Sequence, residues 1–204
     1  RVVVPDFVGF GRSEKYTDPD DYTFGMHRET LAAFVETLDL SGVTLVCQDW
    51  GGVVGLPVAT LDHPERFARL VPMNTGAPTG RGGMIDAWWW FRTYMAETDD
   101  PPIGTVVRAL GDMAHYHALD ERPEPWLGPV LAGDAGLDLA PEVAAAYDAP
   151  FHSPQSKAGA KRWPSLVPTD PEMDGADVGQ ETAAALSEWE KPAFVLFSDS
   201  DPIT

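Results

Sequence analysis

Among these 204 residues the side chain best placed to do chemistry is that of Asp49, in the run Cys47-Gln48-Asp49-Trp50-Gly51-Gly52. The run follows the strand-like Val43-Thr44-Leu45-Val46-Cys47 and opens a helical pattern that extends to about residue 61. A chain that turns sharply from strand to helix needs small residues on both sides of the bend, and the side chain at the bend then stands above the sheet. Cys47 and Gly51 fill the small positions, and Asp49 takes the bend itself. Backbone N–H groups at the start of the following helix favour negative charge there. A carboxylate so placed attacks carbon and forms an alkyl ester. Attack at saturated carbon suits an alkyl halide, which has a leaving group, or an epoxide, which has a strained ring. Water activated by a histidine, itself oriented by an acid, would then cleave the ester. The competing reading is a solvated aspartate that caps a helix. Strand, small flanking residues and Gly51-Gly52 falling in register favour the nucleophile.

The elements that must position Asp49 read as strands alternating with helices. Arg1-Val2-Val3-Val4-Pro5-Asp6 reads as a buried strand that leaves into the loop Gly9-Phe10-Gly11-Arg12-Ser13. Residues 23–40 read as a helix with Leu31, Phe34, Val35 and Leu38 on one stripe, stopped by Ser41-Gly42. Further strands are expected at 43–47, 67–74 and 193–197, and a returning helix at 183–190. Strand–helix–strand spacing of this kind implies right-handed crossovers and a mostly parallel sheet. Between residues 77 and 171 the chain is rich in Gly, Pro, Trp and Ala and holds short helical patterns, which reads as a helical cap. The expected organisation is therefore a main domain over 1–76, a cap over 77–171 and the main domain again over 172–204.

Composition narrows the partners. The net charge of −18 repels phosphate backbones, so nucleic acid is not expected as a partner. No apolar run approaches the ~18–20 residues of a membrane span. A single cysteine, Cys47, cannot form an internal disulfide, so nothing argues for an oxidising compartment. No leader pattern is seen, and a cytoplasmic location is the expectation; a monomer is expected. No metal-ligand spacing is present, and Gly9-Phe10-Gly11 is too short to be a dinucleotide fingerprint. Carboxylate, imidazole and water suffice for the chemistry, and no cofactor is called for.

Several segments carry a resemblance. Val46-Cys47-Gln48-Asp49-Trp50-Gly51-Gly52 resembles the nucleophile motif of haloalkane dehalogenases, and Val4-Pro5-Asp6-Phe7-Val8-Gly9-Phe10-Gly11-Arg12-Ser13 resembles a second segment of that family. Asn74-Thr75-Gly76, Ala146-Tyr147-Asp148-Ala149-Pro150-Phe151 and Phe197-Ser198-Asp199-Ser200-Asp201-Pro202 are similar to others. The resemblance spans nearly the whole chain and implies an α/β-hydrolase fold with a helical cap. It implies Asp49 as nucleophile, and a haloalkane, water and a halide as substrates and product. It gives Trp50 two parts, its backbone N–H in the oxyanion hole and its indole N–H on the leaving halide. An indole N–H in an apolar pocket suits a large, weakly hydrated anion. Asp201 matches the acid that orients the catalytic histidine, with Asp199 a near rival by position. The second halide-binding Trp comes from the cap, where Trp88, Trp89 and Trp90 are the pool. An ungapped register puts Phe91 at that place, and a one-residue shift selects Trp90. The alternative is that all three tryptophans pack the cap. Trp126, Trp163 and Trp189 read as packing residues.

Two parts of the expected machinery are not in the sequence. The catalytic histidine should follow the acid, yet His27, His63, His115, His117 and His152 all precede Asp201. The second oxyanion donor belongs to a loop before Arg1. The chain therefore reads as cut short at both ends, and these residues alone are expected to stop at the ester. His27 and His63 read as surface residues at helix ends. Two other functions stay open. An epoxide hydrolase shares the fold and the nucleophile, and cap hydroxyls such as Tyr94, Tyr116 and Tyr147 could protonate an opening ring; Gln48 argues against it. A non-catalytic binding protein of the same fold is the second.

Overall fold

The computed structural model describes residues 1–84, 86–118 and 140–199. In chain order the elements are α1 (Phe24–Thr37), β1 (Val43–Gln48), α2 (Trp50–Pro57), β2 (Phe67–Met73), α3 (Asp86–Glu97), α4 (Ile103–Ala118), α5 (Pro141–Asp148), α6 (Ala158–Leu166) and α7 (Ala176–Ser187). Short 3-10 turns lie at Pro19–Asp21 and Pro154–Lys157, and a π turn at Val58–Asp62 extends α2. The described residues gather into two compact units, one of 22–84 with 165–199 and one of 1–21 with 86–118 and 140–164.

The first unit is built on parallel strands. β1 and β2 pair in parallel, with Leu45 opposite Leu70 and Gln48 opposite Met73. On the other edge of β2 the expected strand at 193–197 runs in parallel as bridge pairs, Leu70 with Ala193 and Met73 with Leu196. There the N–H groups of Phe194 and Leu196 donate to the carbonyls of Leu70 (2.9 Å) and Pro72 (3.0 Å). Alternation along β1 turns Val43, Leu45 and Cys47 to one face, where they pack with Val35 of α1, Leu56 of α2, Val58 and Ala59 of the π turn, and Phe67 and Leu70 of β2. Val46 points the other way and is 60% exposed, so this core lies on a single face of the sheet.

Helix α1 shows how local chemistry sets an element's limits. Thr23 caps its start, its hydroxyl accepting from the Met26 N–H at 3.0 Å. The expected stop at Ser41-Gly42 is corrected by the structure: the helix ends at Thr37 with Asp39 left-handed at φ 44°, and Gly42, also left-handed at φ 61°, lies beyond that ending and just before β1. The Leu40 N–H donates to the Val35 carbonyl (3.0 Å) and the Asp39 N–H to that of Glu36 (2.8 Å), the two bonds of a Schellman ending. Aspartate tolerates this backbone better than most residues. Arg66 holds it by donating to Asp39 Oδ1 (3.1 Å) and to the Leu40 carbonyl (2.9 Å). Leu38, expected on the apolar stripe, is consequently exposed beyond the last turn. The stripe runs the other way instead. His27, expected at the surface, is fully buried and stacks on the equally buried Tyr22 at 6.1 Å between centroids. Positions 27, 31 and 35 recur every fourth residue, which puts His27 on the same face as Leu31 and Val35.

The strand expected at the start of the chain does not form. Val2 and Val4 are 87% and 83% exposed, and residues 1–6 pair with no strand among the described residues. A β-branched run favours extended structure only where a neighbouring strand receives it. The run leads instead into a tight loop. Asp6 Oδ2 accepts from the Arg12 N–H at 2.9 Å, and Ser13 Oγ donates to the Asp6 carbonyl at 2.7 Å. A Cβ on Gly11 (φ 50°) would stand 2.3 Å from the Asp6 carboxyl carbon, so a side chain here would both strain the backbone and displace the Asp6 carboxylate from its place in the loop.

That loop belongs to the second unit. Phe10 packs on Trp163 with centroids 4.5 Å apart and meets Phe151 edge-on, while Phe7 meets Trp163 at 5.3 Å. Residues 1–21 therefore group with the helical segments of 86–118 and 140–164 in this unit. Met95 of α3, Val106 of α4 and Ala160 of α6 form this unit's buried cluster. Helices α4 and α5 approach closely at Gly104, where a Cβ would lie 2.3 Å from the Ala144 carbonyl oxygen. Asp148 at the end of α5 accepts the N–H of Ile103 at 2.8 Å and so caps α4 from a neighbouring element. Lys157 is buried, with Nζ donating to Asp100 Oδ1 (2.6 Å) and the Pro101 carbonyl (2.8 Å).

Candidate active site

Asp49 sits between β1 and α2 with φ 49° and ψ −127°, a conformation that costs an L-residue energy and persists only where the surroundings enforce it. Its N–H donates to the Asn74 carbonyl at 3.1 Å. Its own carbonyl accepts from the N–H groups of Gly52 (2.9 Å) and Val53 (3.2 Å), and from the Thr75 hydroxyl at 2.6 Å. The carboxylate turns back on the helix it precedes, with Oδ2 accepting from the Trp50 N–H at 2.6 Å. Asp49 is exposed and Trp50 half-buried. Cys47 is buried at the small position before the bend, and burial pushes its thiol up to about 11.

Asn74 and Thr75 follow β2 directly. Asn74 is itself left-handed at φ 37°, and its Oδ1 accepts from the Ser198 N–H at 3.1 Å. Thr75 is buried, and its side chain occupies the space that a side chain on residue 52 would need. A Cβ on Gly52 would lie 2.1 Å from Thr75 Oγ1 and 2.4 Å from its Cγ2. The second glycine of Gly51-Gly52 is therefore required by contact with Thr75, whereas a Cβ on Gly51 would meet nothing nearer than the Cys47 Cβ at 3.7 Å.

A sharp strand-to-helix bend after the first of two parallel strands, bearing an acid at its tip, is the architecture of one large hydrolytic fold family, and the sequence profile of that family, the alpha/beta hydrolase fold, matches residues 1–204. The chain belongs to the α/β-hydrolase fold family. This α/β-hydrolase is 35% identical over 204 residues to a haloalkane dehalogenase of Psychrobacter cryohalolentis, an alignment covering all of this chain and 59% of that protein. It is 28% identical over 209 residues to a cis-3-alkyl-4-alkyloxetan-2-one decarboxylase of Shewanella oneidensis, covering 98% of this chain and 58% of the other. Among solved structures it resembles the tetrameric haloalkane dehalogenase of Paraglaciecola agarilytica, with a TM-score of 0.73 and 31% identity over 94% of this chain and 56% of that one. The chain thus spans about three-fifths of the length of the curated relatives it matches.

The sequence-derived site residues fare differently in this α/β-hydrolase-fold chain. Asp49 and Trp50 are joined directly through the bond from the Trp50 amide to the carboxylate. Asp201 lies outside the described residues; Asp199, its rival, is exposed just beyond the bridge-paired segment. Trp90 falls within α3, but the expectation concerns its side chain, which lies outside those described. Trp88 is buried and Trp89 partly exposed, their rings meeting edge-on at 5.0 Å beneath the Arg92 guanidinium. Trp163 and Trp189 pack as expected, the latter against the core of the sheet unit. Asn74 and Thr75 were not singled out for a role at the bend; the only sequence signal was the resemblance of Asn74-Thr75-Gly76 to a family segment. Among the described residues no group of His, Cys, Asp and Glu could hold a metal ion, and no helix is long and apolar enough to cross a membrane.

Proposed function

We propose that this hydrolase removes halide from haloalkanes, with Asp49 as the nucleophile. The observation that carries the reading is the Asp49 carboxylate at the strained bend, one oxygen held by the Trp50 N–H. That contact fixes the plane of the carboxylate and spreads its charge toward the start of α2, so that attack falls to Oδ1. The Oδ1–carbon bond forms as the carbon–halogen bond breaks, and the halide leaves with the electron pair. The Trp50 indole N–H and that of Trp90 receive the halide. In the ester, the former Oδ2 is the carbonyl oxygen, and the Trp50 N–H stabilises the negative charge that gathers there when water attacks. Asp201 orients the histidine that activates this water. The 35% identity with a haloalkane dehalogenase supports this choice of substrate.

The 28% identity with an oxetanone decarboxylase favours a second reading, in which the same carboxylate attacks the ring carbon that bears the ring oxygen and breaks that C–O bond, and the freed carboxylate then leaves as carbon dioxide while the new ester C–O bond breaks to give an alkene and return Asp49. Bromide release from 1,2-dibromoethane by the intact protein supports dehalogenation, and carbon dioxide release from a dialkyl oxetanone without bromide release supports the alternative. Repeated turnover in 18O-labelled water should place label in the Asp49 carboxyl group, and Asp49→Asn should abolish release while the protein stays folded. An unlabelled carboxyl group after many cycles refutes the covalent route. A monomer is expected, whereas the Paraglaciecola protein is a tetramer; sedimentation equilibrium separates the two.

A further inference from the structure

We infer that Thr75 is a positioning residue for the nucleophile: its hydroxyl, on a side chain seated against Gly52, holds the backbone of Asp49 at the angle that aims the carboxylate. The inference rests on the reading of Asp49 as nucleophile and adds to it a group that touches neither substrate nor reacting atoms.

Three observations converge. The Thr75 hydroxyl donates to the Asp49 carbonyl at 2.6 Å, the shortest of the three bonds that oxygen accepts. It comes from outside the helix, whereas the other two donors, Gly52 and Val53, belong to α2 and follow that helix wherever it goes. The Asn74 carbonyl takes the Asp49 N–H at 3.1 Å, so two consecutive residues after β2 grip Asp49 on both its backbone polar groups. The Thr75 side chain also fills the notch left by Gly52, where any Cβ would come within 2.7 Å of three of its atoms. The hydroxyl thus sets the position along the bond and the notch sets it laterally. Thr75 is buried, so water does not readily take over the donor's place.

A strained residue relaxes when its restraint is removed. If the Asp49 carbonyl loses its external donor, the peptide between Asp49 and Trp50 turns, and with it both the carboxylate and the amide that holds Oδ2. Thr75→Val keeps the shape and removes the hydroxyl. Thr75→Ser keeps the hydroxyl and removes the methyl group. Misplacement of a reacting group by ~1 Å costs about a hundredfold in rate, so a fraction of that shift sets the expected range.

The test is rapid-quench mass spectrometry of the Asp49 peptide from the intact protein, with 1,2-dibromoethane as substrate. Thr75→Val should lower the rate constant of ester formation about ten- to a hundredfold and leave the concentration for half-saturation within about twofold. Thr75→Ser should restore the rate to within about threefold. Amide hydrogen exchange of Asp49 and Trp50 should quicken in Thr75→Val and return in Thr75→Ser. A packing role alone would lower the melting temperature of both variants without splitting the rate constant from the half-saturation concentration. Ester formation at the wild-type rate in a folded Thr75→Val protein overturns the inference. If the wild-type protein never gains an alkyl group on Asp49, the nucleophile reading fails instead, and unchanged amide exchange in Thr75→Val then rules out the grip on the bend independently.

Discussion

Replacing His27 by phenylalanine should flatten the acid side of the stability profile. His27 is fully buried on the inner face of α1, and burial lowers its pKa from 6.5 to about 4. Between those values the unfolded chain binds a proton that the folded protein refuses. The unfolded state then holds more protons, so stability rises with pH through this window and falls as pH drops from 6.5 toward 4. Each pKa unit is worth about 1.4 kcal/mol, which makes the full loss about 3 kcal/mol, reached near pH 4. Phenylalanine keeps an aromatic ring against Tyr22 and removes the titration. Urea unfolding of both proteins at pH 7, 6, 5 and 4.5 isolates the effect, because the carboxylates that also titrate are common to both. The wild type should lose roughly 2–3 kcal/mol more than the variant between pH 7 and 4.5. Parallel curves for the two proteins would falsify the assignment of a buried neutral imidazole.

Two further outcomes follow from the bend. Gly52→Ala should destabilise the protein by about 1–3 kcal/mol, the usual cost of forcing an atom into a filled site. In a Thr75→Ala background, which removes the two closest contacts at 2.1 and 2.4 Å, the same change should cost about 1 kcal/mol less; equal costs in urea unfolding would count against the contact. Cys47, buried with its thiol raised to about 11, should resist a thiol-specific disulfide reagent at pH 8 until the protein is denatured. Rapid labelling of the native state would show that the flank of the bend opens.

What the sequence made legible was what adjacent residues decide. The bend at Asp49 needs small neighbours, a strand before and a helix after, all within about fifteen residues, and the structure has them in place. The parallel strands at Val43–Gln48 and Phe67–Met73 were readable for the same reason. Features that depend on distant partners were not. The valines at 2–4 read as a strand because their propensity is local, but a strand exists only through its neighbours. His27 is polar by type, and its burial follows from the helical face it shares with Leu31 and Val35. Asp39, and not Gly42, ends α1 because Arg66, 27 residues further along, holds it. The grip of Thr75 on Asp49 spans 26 residues, and no local pattern announces it.

Asn74 binds the chain in two directions: its carbonyl takes the Asp49 amide, and its side-chain oxygen takes the amide of Ser198, three residues before Asp201 in sequence. Both bonds end on a single residue. When thermal motion displaces that residue, the bend and the loop carrying Ser198 are carried along together, so their spacing varies less than the position of either. A shared anchor of this sort rejects common-mode drift, as a single optical bench does for two lenses, and it asks stiffness of one junction where two independent mounts would each need their own.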